Sequence, residues 1–331
     1  MERTQFAAVI LSSEPSIDAK APEGAAHLAP LAGKSLHQWV VDAALGASIR
    51  RIAVVADLAP RTKQELEERV DDAMIEIVAP LAESDETLAV AIDSLGNDFS
   101  LREHAHVLLL QVECPQITSA DLRRVIERHI VSGAAATVYA GAQNAGHTEP
   151  VVIRDEFGRI SSISDIPVGG GAVFCFRADL VVPALRRSNA TVNFQSIGVE
   201  AAQALTEAGH EVQSFEYPGQ LEVIRAATSR TSIEGALRRR VVEQWIERGV
   251  VIPDPRQVAI DATVQLSPGV TIKPGTVIEG RTLVADGAEL GPNTHLVDAV
   301  VGSSAVVPHS VIWSSEVKAR EQLAPFTVRQ S

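Results

Sequence analysis

From residue 260 onward, one column of aliphatic side chains returns at every sixth position: Ile260, Leu266, Ile272, Ile278, Val284, Leu290 and Leu296. A second column runs in step with it through Val264, Val270, Thr276, Thr282, Ala288, Thr294, Val300, Val306 and Ile312. A third, Pro268, Pro274, Gly280, Asp286, Pro292 and Asp298, holds residues that make turns. A repeat of six fits neither an α-helix nor a simple hairpin, and it marks a β-helix. Each short side sends one aliphatic residue into a prism, packs a smaller residue beside it and then turns. At roughly 18 residues per three-sided coil, residues 251–331 supply about four coils. Residues 318–331 are more charged and leave the repeat, which predicts a cap on the open strand edges.

The chain before this repeat has a different rhythm. Short apolar runs at Phe6–Leu11, Ile52–Ala56, Ile75–Val78, His106–Val112, Ala135–Ala140, Ala172–Phe176 and Val212–Phe215 alternate with amphipathic segments. This is the pattern of an α/β sheet. Ser35 is placed to cap a helix whose apolar face is Leu36, Trp39, Val40, Ala43 and Ala44. Another helix buries Leu88, Ala91, Ile92 and Leu95. A third starts at Thr118, with Asp121 completing a capping box, and is expected to bury Leu122, Val125, Ile126 and Ile130. Val151–Ile163 reads as a hairpin turning at Asp155–Gly158, so the expected sheet is parallel with one antiparallel insertion. A helix over 230–248 carries Ile233, Leu237, Val241 and Trp245 at four-residue intervals; Gly249, Pro253 and Pro255 end it. The expected organisation is an α/β domain over 1–229, a linker helix over 230–250 and a β-helix over 251–331.

Composition narrows the function. At 331 residues the chain exceeds one ordinary core, and 46% hydrophobic with 21% charged residues is a soluble, globular balance. A net charge of −13 argues against nucleic-acid or anionic-membrane partners, which need a basic surface. No apolar run approaches the roughly 18 residues of a membrane helix, and no basic, apolar leader opens the chain. Cys114 and Cys175 have no metal-like spacing and fit a reduced, cytoplasmic setting.

The order of α/β domain, linker helix and hexapeptide coils resembles the bifunctional N-acetylglucosamine-1-phosphate uridylyltransferase / glucosamine-1-phosphate acetyltransferase family. The stretch Leu237–His309 carries most of the likeness. Leu-Arg-Arg-Arg, Gly-Val-Val-Ile-Pro-Asp-Pro (249–255), Ile-Asp-Ala-Thr-Val (260–264), Pro-Gly-Thr-Val-Ile-Glu-Gly-Arg-Thr (274–282) and Gly-Pro-Asn-Thr-His-Leu-Val-Asp (291–298) look like its actinobacterial form. Ala-Ala-Val-Ile-Leu (7–11), Leu-Ala-Gly-Lys-Ser-Leu (31–36) and Ala-Val-Phe-Cys-Phe (172–176) extend it to the N-terminal domain. The resemblance implies a nucleotidyltransferase fold of the GT-A, Rossmann-like kind, a left-handed β-helix and a trimer. It also implies UTP and Mg²⁺ as partners of the first domain.

The family's chemistry needs backbone N–H groups and cations around a triphosphate, with Mg²⁺ held by hard oxygens. Its L-A-A-G-x-G-T-R-M loop is replaced here by Leu11-Ser12-Ser13-Glu14-Pro15-Ser16-Ile17-Asp18. The glycines that let backbone approach phosphate are gone, and Pro15 has no N–H to offer. Glu14 and Asp18 add like charge, at about 1 kcal/mol per contact in water near 4 Å. By matched position Ser12, Ser13, Lys20 and Gly170 are the substrate-binding candidates; Lys20 and Lys34 are the only lysines in the first fifty residues. The family's Gly-Asp-x-Pro appears as Val112-Glu113-Cys114-Pro115, leaving Glu113 as metal candidate with an extra methylene. The Asn of Gly-Val-Asn-Asn-Arg aligns with Thr228 in Ala226–Arg230, a poor exchange for an amide carbonyl. The G-T-G-H base segment falls at Asp85–Leu88, Y-G-R-I at Glu149–Val152, and E-x-Y-L-T-D has no counterpart in Gln195–Glu200. His104 and His106 read as solvated rather than ligating.

Two expectations follow. One is a uridylyltransferase-like pseudoenzyme with a binding, regulatory or assembly role, in a homotrimer or a mixed trimer with an active homologue, without acetyltransferase activity. The other is an active sugar-1-phosphate nucleotidyltransferase, of the kind that makes UDP-N-acetylglucosamine, with an altered loop and Mg²⁺ on Glu113.

Overall fold

The structure, a computed structural model, describes residues 5–12, 30–56, 58, 60–67, 73–79, 84–96, 105–140, 152–154, 160–163, 172–187, 197–216, 222–224 and 227–330. They form two compact units, one of Met1–Leu28 with Leu36–Ser229, the other of Ala29–Ser35 with Arg230–Ser331. Residues 29–35, which a boundary at 229 assigns to the first part, pack in the second.

The first unit is built on a mixed sheet of β1 (Gln5–Leu11), β2 (Arg51–Val55), β3 (Met74–Val78), β4 (Ala105–Gln111), β5 (Ala136–Ala140), β8 (Ala172–Arg177) and β9 (Val212–Glu216), in the order β3-β2-β1-β4-β8-β5-β9. Between β5 and β8 stands the hairpin of β6 (Val152–Arg154) and β7 (Ile160–Ile163), a separate two-stranded sheet whose turn lies outside the described residues. The antiparallel element of the main sheet is therefore β8, which runs against both β4 and β5. An apolar run by itself does not record strand direction, so the hairpin drew the assignment.

Alternate residues of the strands divide the core. Ala7, Val9, Leu11, Val107, Leu109, Val138, Phe174 and Phe176 pack with α3 (Ser84–Ser94), α5 (Ala178–Arg187) and α6 (Ile197–Glu207). The intervening residues, Ala8 and Ile10 among them, are equally buried and face α1 (Leu36–Gly46) and α4 (Ser119–Ser132). Covering both faces explains why β1 is apolar throughout rather than alternating. Gly198 starts α6 against the Phe174 ring, where any Cβ would collide with the aromatic carbons.

Helix α4 opens on the expected capping box: the Thr118 hydroxyl accepts from Asp121 N–H, and the Asp121 carboxylate accepts from Thr118 N–H at 3.0 Å. Its buried stripe is Asp121, Leu122, Val125 and His129, while Ile130 is 49% exposed. The expected apolar stripe thus misses by one position, because His129 replaces Ile130 on the inner face for the polar contacts described below.

The second unit holds α7 (Ala227–Glu247) from Arg230 onward and a left-handed parallel β-helix. Three ladders run along the prism. The first joins β10 (Ala259–Ile260), β13 (Val277–Glu279), β16 (His295–Val297), β19 (Val311–Trp313) and β21 (Val328–Gln330). The second joins β11 (Gln265–Leu266), β14 (Leu283–Val284), β17 (Val300–Val301) and β20 (Glu316–Val317), and the third β12 (Thr271–Ile272), β15 (Glu289–Leu290) and β18 (Val306–Val307). The first aliphatic column is buried throughout. The second column holds only to Thr294. Val284 pairs with Val301, seventeen residues on, where Ile278 pairs with Leu296, eighteen on. One residue has been lost from the coil at the Asp298 turn, so Val300 and Val306 point outward while Val301 and Val307 enter the core. Ile312 belongs to the main inner column, opposite Leu296 and sixteen residues on, so a second residue is lost between Val307 and Ile312. A one-residue slip exchanges every inward side chain for its neighbour.

Residues 318–331 also depart from expectation. Gln322 bridges to Val306 and β21 pairs with β19, so the coil continues. Its corner is tied by Arg329, whose guanidinium reaches Glu321 at 2.7 Å and donates to the Glu316 carbonyl. That pairing holds the Glu321 carboxyl down at about 2.

Candidate functional site

In a sheet of this order the chain winds outward from β1 through β2 to β3 and then crosses to β4 on the other side of β1. The reversal opens a crevice beyond the carboxyl ends of β1 and β4, the place where open α/β sheets bind ligands. Ser12 and Glu113 stand there. Leu11 pairs with Gln111 across the two strands, Val112 N–H donates to Leu11 O at 2.9 Å, and Ser12 N–H donates to Val55 O at 3.2 Å. Both side chains are half-buried. The Glu113 carbonyl accepts from Ile224 N–H at 3.0 Å, which brings the 222–224 segment to the same crevice. Three residues later α7 begins, and Thr228 lies in its first turn. The topology thus gathers Ser12, Glu113 and the approach to Thr228.

Ser13, Lys20 and Gly170 lie outside the described residues, as do Glu149–Val151 and Gln195. The base-segment match, Asp85–Leu88, opens α3; Thr87 and Leu88 are fully buried in the sheet-facing core. For Mg²⁺ the matched positions offer one carboxylate and a hydroxyl, where the family pattern offers an aspartate and an amide carbonyl. This set does not fit the ion as that pattern does. Among the described residues, no three His, Cys, Asp or Glu side chains are grouped to hold a metal.

The structure also reveals a polar chain that sequence reasoning missed. His106, in β4, places Nδ1 2.8 Å from Nε2 of His129, whose Nδ1 is 2.8 Å from the Thr137 hydroxyl of β5. The His106 ring stacks on Phe6 at 5.1 Å. It is therefore a packed and bonded histidine, not a solvated one. Burial, then the nearby His106 and Arg177, lower the His129 pKa to about 3. His37 in α1 is buried as well, its pKa lowered to about 4 by burial, and its Nε2 has no hydrogen-bond partner. His106 sits near the start of β4 and Glu113 just past its end, so this chain lies toward the opposite end of the strand from the crevice. A histidine in the inward phase of α4 was the one available signal, hidden because Ile130 beside it offered a more hydrophobic choice.

No family model matches the chain. Among curated proteins, it is 28% identical over 309 residues to "Bifunctional protein GlmU" of Thermoanaerobacter pseudethanolicus, covering 89% of this chain and 65% of that protein. The protein of the same name from Bifidobacterium longum is 31% identical over 237 residues, 67% of this chain and 51% of its own length. That of Carboxydothermus hydrogenoformans is 25% identical over 317 residues, 89% and 67% respectively. The chain spans just under two thirds of the length of the first of these relatives.

Proposed function

The chain belongs to the bifunctional GlmU family, and from that membership we propose that it is a uridylyltransferase-like protein that has kept the scaffold and given up nucleotidyl transfer, acting by binding or assembly. The observation that carries this reading is the crevice at β1 and β4. Its matched positions, beside the paired ends of β1 and β4, are Ser12 and Glu113 in place of a glycine loop and an aspartate. Buried Thr87 and Leu88, at the position matched to the base segment, add to it on the base side. A ligand at 100 times its Kd stabilises a fold by roughly 2.7 kcal/mol, which moves Tm by several degrees. Millimolar UTP with Mg²⁺ is expected to leave the Tm of the first unit unchanged within about 1 °C. A dose-dependent rise of several degrees would refute the reading.

One observation favours a second reading. Glu113 is still a carboxylate at the end of a central strand, and Mg²⁺ in such sites takes one or two carboxylates together with substrate phosphates. Pyrophosphate release from nucleoside triphosphates mixed with sugar 1-phosphates, abolished by Glu113→Gln, would select this alternative.

For assembly, the proposal is a homotrimer formed through the β-helix. Val311, Trp313 and Val328 are exposed on the first ladder and Leu283 and Val300 on the second, an apolar allotment beyond what a solitary prism requires. Trp313, 51% exposed, has the largest of these side chains. Sedimentation equilibrium should return three copies for the native chain and a smaller assembly for Trp313→Glu, with the circular-dichroism spectrum preserved. A mass unaffected by this substitution would remove that face from the interface. The two buried free thiols, Cys114 and Cys175, suit a reducing cytoplasm.

A further inference from the structure

Leu31-Ala-Gly-Lys34 matches the family but has no part in the chemistry above, and it forms a structure of its own. Leu31 N–H donates to Lys34 O at 2.8 Å and Lys34 N–H returns to Leu31 O at 3.1 Å. The two central residues, Ala32 at φ 46° and Gly33 at φ 82°, are both left-handed, as in the tight primed turns of two-residue hairpins. The tip of this hairpin seats on the first coil of the β-helix. The Ala32 carbonyl accepts from Ala262 N–H at 2.8 Å. A Cβ on Gly33 would stand 2.7 Å from Cβ of Asp261 and 2.9 Å from the Thr263 hydroxyl, so only glycine lets the tip approach so closely. Arg230 holds the flank by donating to Pro30 O at 3.1 Å. Beneath the tip, Asp261 is fixed by Arg238 at 3.3 Å and by Gly280 N–H at 3.2 Å.

The position of this contact matters. Asp261–Val264 connect β10 to β11, and those two strands are the terminal members of their ladders. A β-helix that stops leaves an edge of backbone donors and acceptors, which templates the addition of another chain. Solenoids need a cap whose outer side does not repeat the template. The hairpin meets this requirement: Leu31 and Lys34 bond to each other, and Pro30 has no N–H to present.

We propose that the Leu31–Lys34 hairpin is an edge cap, which occupies the Asp261–Thr263 surface of the first coil and keeps a second copy of this chain from adding its strands there. The cap is donated by a stretch about two hundred residues away in sequence. Its test is Gly33→Val in the full chain, read by hydrogen exchange at the Ala262 amide and by sedimentation velocity across a concentration series. Exchange at Ala262 should accelerate on the order of 100-fold, as expected for a contact that opens locally. Species larger than the native assembly should appear as concentration rises, and an excess of a synthetic peptide of residues 29–36 should reverse both changes. Arg230→Ala, which removes the Pro30 tie without adding bulk, guards against a folding defect and should move both readings in the same direction, more weakly. Accelerated exchange without any larger species in either variant would reduce the hairpin to a packing contact and overturn the proposal. Unchanged exchange in both would overturn it too.

Discussion

Lowering the pH from 7.5 to 5 is expected to cost the first unit about 4 kcal/mol of stability, and its source is two histidines. Their ordinary pKa is 6.5; in the folded unit burial holds His129 at about 3 and His37 at about 4. The neutral ring is the form the fold accepts, so between those limits the unfolded chain binds more protons than the folded one. Stability therefore falls as pH drops through 6.5, and the loss is complete only below the folded values. One pKa unit is worth 1.36 kcal/mol, which gives about 5 kcal/mol for His129 and about 3 kcal/mol for His37 at the acid limit. Each contributes about 2 kcal/mol at pH 5. Against a domain stability of about 5–15 kcal/mol, that removes a large share of the margin at pH 5 without by itself unfolding the unit.

Urea titrations at pH 7.5 and 5, followed by the fluorescence of Trp39 in the same helix as His37, measure this slope. His37→Leu should flatten it by about half. It should also raise stability at pH 7.5 by about 1–3 kcal/mol, since the unpartnered Nε2 is buried at a cost. His129→Gln should flatten the slope by a similar amount but lower stability at pH 7.5, because the contacts with His106 and Thr137 are lost. Equal slopes in the native chain and both variants would assign the acid response to other groups.

The second large effect is expected in the prism. Leu296→Ala should cost the second unit about 2–5 kcal/mol, the range for emptying a buried leucine site. Leu296 is fully buried and lies between Ile278 on the coil before and Ile312 on the coil after. In a close-packed solenoid, contacts are made only with neighbouring coils, so the loss spreads to both. Val300→Ala, on a residue that continues the six-residue column by count, is expected to change stability within about 0.5 kcal/mol, because its side chain faces outward. Thermal unfolding of the two variants separates the alternatives. If Val300→Ala destabilises as strongly as Leu296→Ala, the slip at Asp298 is wrong.

This pair shows how far a repeat carries. Up to Leu296 the six-residue column specified the inner wall, since a period of six with aliphatic spacing has one way to bury itself. Past Asp298 the count along the second column selected Val300 and Val306, because the composition there is valine on both sides of the slip: Val300-Val301 and Val306-Val307. Only the pairing of Val284 with Val301 says which valine is inside. Strands and helices of the first unit were legible for the same reason as the early coils, through runs and periods of local sequence. The direction of β8 was not, since direction depends on which strands flank it.

The crevice divides in the same way. Residue identities at Ser12, Glu113 and Thr228 were readable as departures from a pattern, but their gathering depends on β1 lying beside β4 and on Ile224 bonding to Glu113. His106, His129 and Thr137 come from β4, α4 and β5, and no spacing within one element announces them. The hairpin at Leu31–Lys34 meets Asp261 across more than two hundred residues. Local periodicity recorded the six-residue prism and the α/β alternation, because each coil or helix buries its own stripe. Long-range packing alone supplied the register slip, the histidine chain and the hairpin on the first coil, because each joins residues whose neighbours in sequence say nothing of one another.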